Sequence, residues 1–233
     1  RTNPTQNLVD CYETMNGLPI DEDPTYDPKN PFVNRDPRLE QSIFHHGTIW
    51  GDPTQEEERK VDITFGSGLD YQALHGGTLT GYYSKKFCSN ISFKSPTNSP
   101  KACALFRYAE ILLNAAEAYN EAGNQAEAMK YVNQVRARVG MPAYVGLSQD
   151  RLRDRIRNER RIELSFEGKR FWDLRRWGEY RAKTNGIVES DVFMVARGAN
   201  PRQISALMEE KFPIDGWEMG MNKNLEQTPA WTE

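Results

Sequence analysis

Two glutamates sit where a helix ought to be apolar. Over residues 152–166, Leu152, Ile156, Ile162 and Phe166 recur at steps that place them on one helix face, and Glu159 and Glu163 fall at the centre of that same face. An inward carboxylate is costly unless a cation meets it, so any fold open to this chain must deliver arginine or lysine to that spot. The surrounding stretch, "RNERRIELSFEGKRFWDLRRWG" (157–178), supplies six arginines, a lysine, two tryptophans and four acids. Arginine suits the task because its planar fork binds a carboxylate through two hydrogen bonds while its stem lies along apolar surface. The nearest partners are Arg155, Arg160 and, past the break at Gly168, Arg170 and Arg175. The expected arrangement is an interior ion-pair lattice of Glu159, Arg160, Glu163, Arg170 and Arg175, with Phe171, Trp172, Leu174 and Trp177 packed around it.

Two functional readings of that stretch are weaker. A retaining glycosidase needs two carboxyl groups about 5 Å apart across a cleft, but arginines around Glu159 and Glu163 would hold both ionised. A basic, aromatic helix can bind single-stranded nucleic acid, yet Glu159, Glu163, Glu167, Asp173 and Glu179 would repel phosphate. The chain as a whole carries 30 basic and 33 acidic residues, a net charge of −3, so nothing draws it globally onto nucleic acid or anionic lipid.

The pattern along the chain changes near residue 100. Residues 1–100 hold most of the prolines and glycines, with short β-prone runs at Ser42–Phe44 and Val61–Phe65, and read as a loop-rich segment with minor strand content. Residues 101–233 begin with helices. Leu105, Tyr108, Ala109, Leu112, Ala116 and Tyr119 form one stripe, ended by Gly123. Asn124 can cap a second helix whose stripe is Ala128, Val132, Val135 and Val139, closed by Gly140 and Pro142. This hairpin approximates a tetratricopeptide unit, with small alanines at the crossing. A lone unit leaves one flank exposed, so later helices or a partner must cover it. The fold expected is mainly α, made of tetratricopeptide-like hairpins with long irregular loops and minor β content.

No apolar run approaches the roughly 20 residues needed to cross a bilayer. Cys11, Cys88 and Cys103 have no metal-ligand spacing and read as small buried residues. Adjacent His45 and His46 point to opposite sides if extended, which disfavours a shared metal. Asp21, Glu22, Asp23 and Asp27 lack the glycine-containing loop of a calcium site and read as a solvated acidic loop.

The charged stretch resembles the signature near the C-terminus of the SusD/RagB family of cell-surface glycan-binding lipoproteins. Five further stretches agree in order: "NPTQNLVDCYETMNGLPID", "NPFVNRDPRL", "LTGYYSKKF", "FRYAEILLNAAEAYNEAG" and "FPIDGWEMGMNKNLEQTPAW". The resemblance covers the whole chain but only the C-terminal part of a typical member, the portion that completes a SusD-like α-α superhelix. It implies that a signal peptide, a lipidated cysteine and N-terminal helices precede Arg1 in the full-length protein. It further implies a lipid-anchored protein on the outer face of the outer membrane that captures oligosaccharide or polysaccharide and passes it to a SusC-type TonB-dependent transporter. On this reading the partners are the glycan, the transporter and the N-terminal half of the same protein. No catalytic residue, metal or other cofactor is expected.

Sugar rings offer apolar faces to aromatic rings and hydroxyls to polar groups. Glycan contact is therefore expected from the irregular segment after "RDPRL". Trp50, in "HHGTIWGDP", stands between turn-forming residues and is the leading platform. Tyr71 and His75, in "GLDYQALHGG", are a second platform and a polar contact. Tyr82 and Tyr83 are expected to pack, and Trp217 and Trp231 to anchor the tail. The competing class is a tetratricopeptide-like scaffold that binds protein and no sugar.

Overall fold

The computed structural model describes residues 3–51, 59–64, 67–71, 77–78, 80–87 and 104–184. His75, Cys88, Cys103, Trp217 and Trp231 lie outside the described residues. The fold is mainly α with little strand, as the periodicities indicate.

The first described segment is an arm of loops around short elements. Helix α1 (Gln6–Asp10) is held by Arg35, whose Nη2 donates to the carbonyls of Val9 and Tyr12 at 2.7 and 2.8 Å. Helix α2 (Pro37–Ser42) starts where Asp36 accepts the backbone N–H of Arg38 and Pro37 presets the first helical turn. Strands β1 (Ile43–Phe44), β2 (Ile49–Trp50), β3 (Arg59–Lys60) and β4 (Tyr83–Ser84) form two antiparallel pairs, β1 with β4 and β2 with β3.

The second segment is a helical layer. Helix α3 (Tyr108–Glu121) turns through Ala122–Asn124 into α4 (Gln125–Arg138), and the Asn124 side chain accepts the N–H of Glu127 at 3.2 Å. Such a short link makes the two helices antiparallel neighbours. The α3 stripe differs from the expected one. The helix begins at Tyr108, leaving Leu105 and Tyr108 exposed, and its buried apolar side is Leu112, Leu113 and Ala116. Asn120 is buried beside them because its amide donates to the Gln149 carbonyl at 3.0 Å.

Helix α5 (Gln149–Glu163), capped by Ser148, packs against α3 and α4, and α6 (Arg170–Arg176) and α7 (Tyr180–Thr184) follow. It stops three residues before the expected end, because Leu164 closes it and Phe166 adopts a left-handed φ of 64°. That reversal lets Phe166 pack against a core beyond the helix axis.

There are two cores, and α5 serves both. Leu152 and Ile156 join Leu112, Leu113, Ala116, Ala128, Val132 and Val135. Ile162 joins Val9, Tyr12, Leu39, Ile43 and Tyr82 from the N-terminal segment. Glu159 and Glu163 lie on α5 at the seam between the cores.

Candidate functional site

At the seam, both glutamates are buried. Glu159 is fully enclosed and takes hydrogen bonds from Arg38 Nη1 and, at 3.0 Å, from Arg136 Nη1. Glu163 accepts from Arg38 at 2.9 Å, Arg107 at 2.6 Å and Arg138 at 2.8 and 2.9 Å. Arg38 also grips Asp36 through Nε and Nη2. Burial would raise the Glu163 carboxyl, but hydrogen bonds from Arg107 and Arg38 outweigh it and hold the group at about 2. The Glu163 carboxylate has no proton to donate near neutral pH, and its part here is cohesion between the two cores.

The partners differ from those nearest in sequence. Arg160 points away from the glutamates to Asp173, at 3.0 and 3.1 Å, and to Asn114. Arg155 reaches Glu13 at 3.0 Å and Glu22 at 2.9 Å. Arg170 forms no ion pair among the described residues, and the Arg175 guanidinium lies 5.5 Å from the centre of the Phe171 ring. The physical reason is helix geometry. Successive residues diverge by 100°, so a neighbour in sequence faces another element, while arginines from α2, from the residue before α3 and from α4 arrive at the inward face. Arg38, Arg107 and Arg136 were missed for that reason. Arg38 and Arg107 nonetheless stand inside the motifs "NPFVNRDPRL" and "FRYAEILLNAAEAYNEAG", where an arginine beside apolar core positions was a usable signal.

Trp50 lies on a separate, aromatic site. The turn at His45–Thr48, closed by Thr48 N–H to the His45 carbonyl at 3.0 Å, folds β2 back so that the indole lies on Phe44, centroid to centroid 4.9 Å and 12° from parallel. Tyr83, paired with Phe44 across β1 and β4, meets the indole edge-on at 5.7 Å. Arg59 is the cross-strand partner of Trp50, and its guanidinium sits 5.4 Å over the ring. The tryptophan therefore occupies a short strand, where the sequence suggested a loop, and it remains half-buried.

One carboxylate fixes this cluster. Asp70, 2% exposed, accepts from both Arg59 terminal nitrogens at 2.7 and 2.9 Å, from the Tyr83 hydroxyl at 2.9 Å and from the Asp62 N–H at 2.9 Å. Burial pushes its carboxyl up, but those donors outweigh burial and hold it below the usual range. Asp70 was not singled out from the sequence, although it adjoins Tyr71 in "GLDYQALHGG". Tyr71 is half-buried and bridges to Thr78. Gly77 is obligatory there, since a Cβ would stand 2.0 Å from the Asp70 carbonyl oxygen.

The remaining polar candidates resolve into packing. His45 stacks on Phe32 at 3.6 Å and meets Glu40, and exposed His46 faces Asp62 at 3.8 Å. The acidic loop is not uniformly solvated: Asp23 is buried and accepts from Thr14, Asn16 and Thr25, and Glu22 serves Arg155. Among the described residues no group of three His, Cys, Asp or Glu side chains is placed to hold a metal.

The sequence pattern of the SusD family matches residues 1–231. The chain belongs to the SusD family. This SusD-family chain is 51% identical over 130 residues to SusD-like protein P2 of Formosa agariphila, a match covering 51% of this chain and 24% of that protein. It is 37% identical over 110 residues to SusD-like protein P38 of the same organism, across 42% of this chain and 22% of the relative. Its structure superposes on a SusD-like protein from Bacteroides fragilis with a TM-score of 0.78 at 28% identity, over 98% of this chain and 47% of that one. A SusD superfamily protein from Bacteroides vulgatus shares the fold at a TM-score of 0.62 and 23% identity, over 98% and 44%. The chain thus spans about half the length of these solved relatives.

Proposed function

We propose that this chain forms part of a non-catalytic protein on the outer-membrane surface that captures oligosaccharide or polysaccharide and passes it to a SusC-type TonB-dependent transporter. Family membership supports the class. The observation that carries the reading to residues is the half-buried Trp50, braced by Phe44, Tyr83 and Arg59 and fixed through Asp70. A braced indole gives up little conformational entropy when a sugar ring lies against its exposed part. Tyr71, next to Asp70, is assigned as the second platform, and His75, outside the described residues, as a polar contact. Lipid anchoring and the N-terminal half of the full-length protein belong to the same proposal.

The test is native affinity electrophoresis of the full-length protein through gels containing different polysaccharides, with Trp50→Ala beside it. Retardation by one glycan, relieved by the substitution, is the expected result. Free migration in every gel overturns glycan capture and favours a tetratricopeptide-like protein scaffold. That competing reading has one observation of its own: Leu105, Phe106, Tyr108 and Ile111 are all exposed around the start of α3.

A further inference from the structure

Arg161 and Arg170 are set apart from the other guanidiniums around α5 by what they lack. Arg38, Arg136, Arg155, Arg157 and Arg160 each meet a carboxylate. Among the described residues Arg161 donates only to neutral atoms, Cys11 Sγ and Asn7 Oδ1, each at 2.6 Å. Arg170 has no ion pair there, and its guanidinium lies 5.9 Å from the centre of the Trp177 ring.

The two arginines line one cavity of about 310 Å³ beside α5, together with Arg157, Lys183 and the thiol of Cys11. Among the described residues the carboxylates lining it are Asp154 and Glu179, and Glu179 is bonded to Arg157. Arg157, Arg161, Arg170 and exposed Lys183 thus outnumber the two carboxylates on this wall, in a chain whose overall charge is negative. Burial, reinforced by Arg161, pulls the Arg170 guanidinium down to about 10, which leaves it cationic at neutral pH. Two half-buried like charges side by side are unfavourable, and an anion placed between them would relieve both desolvation and repulsion. The planar fork of arginine matches oxygen-bearing anions in particular.

We propose that this cavity binds a small oxyanion, the carboxylate or sulfate of a ligand, held by Arg161 and Arg170 with Lys183 adding charge at the surface. The inference does not rest on glycan capture at Trp50, because the residues are different and a neutral sugar would not need them. Asn158 and Asp154, also on the cavity wall, offer hydrogen-bond partners to whatever carries the anion.

The test is calorimetric titration of the full chain with sodium sulfate, with glucuronate and with glucose as the neutral control, at an ionic strength held constant with chloride. Saturable binding of sulfate or glucuronate is expected, weakened at least about tenfold in the Arg161→Gln/Arg170→Gln double variant. Sulfate binding without glucuronate binding identifies a tetrahedral anion; binding of both identifies a site open to acidic sugars. Because Arg161 touches the Cys11 sulfur, sulfate should also slow alkylation of Cys11 in the unsubstituted protein, read on the Cys11 peptide by mass spectrometry, which keeps the test open if the variant misfolds. No saturable response to either anion, or unchanged affinity in a folded double variant, overturns the proposal. Loss of polysaccharide retardation in Trp50→Ala with sulfate binding intact would show the two sites to be independent.

Discussion

Arg38 and Glu163, 125 residues apart in sequence, meet at 2.9 Å in the interior. The same Arg38 nitrogen also meets Glu159, and the other side of the guanidinium holds Asp36. One side chain thereby ties the N-terminal arm to the helix that both cores share.

Removing it should be severe. Arg38→Ala leaves Glu159 and Glu163 buried with fewer cations and is expected to cost about 3–5 kcal/mol in urea unfolding. Arg138→Ala removes a partner whose side chain is 55% exposed and should cost less than about 1 kcal/mol. Equal losses would contradict the assignment of Arg38 as the junction. Glu163→Gln should likewise destabilise the fold.

Acid should loosen the same junction. The Glu163 carboxyl is depressed in the folded state, so its ionisation adds stability above the ordinary value of 4.5, and that stability is lost as pH falls toward about 2. The span corresponds to about 3 kcal/mol. Glu163→Gln should flatten the pH dependence of the urea midpoint over that window, and an unchanged slope would place the titration elsewhere.

The aromatic site depends on the loop that carries Asp70 and Gly77. Gly77→Ala would drive a Cβ into the Asp70 backbone, and Asp70→Asn would weaken the grip on Arg59 and Tyr83. We expect Asp70→Asn to cost about 1–3 kcal/mol. Both substitutions should reduce retardation in any gel that Trp50→Ala relieves. Retardation unaffected by either would detach Asp70 from the platform.

The hairpin should not tolerate bulk at its crossing. Ala116 and Ala128 are both fully buried in the core between α3, α4 and α5. Ala116→Leu is expected to cost about 1–3 kcal/mol through overpacking, whereas Ala122→Leu, exposed past the end of α3, should be near neutral in thermal melts.

The sequence by itself determined the helical hairpin and the inward position of Glu159 and Glu163. Periodicity and capping are local, and residues within one helix fix each other's directions through the 100° step. It also required that cations reach those acids. It did not determine which ones, since Arg38, Arg107 and Arg136 come from separate segments whose approach depends on packing of both cores. Neither the start of α3 at Tyr108 nor the reversal at Phe166 was legible, because the apolar pattern runs past both points and burial elsewhere decides where a helix stops. Trp50 was visible as an aromatic among turn residues, but its stack on Phe44 and its tie to Asp70 through Arg59 are contacts between strands and loops distant in sequence. Local pattern sets what each segment needs; only the tertiary structure decides which distant side chain supplies it, because charge and shape are satisfied in space and not along the chain.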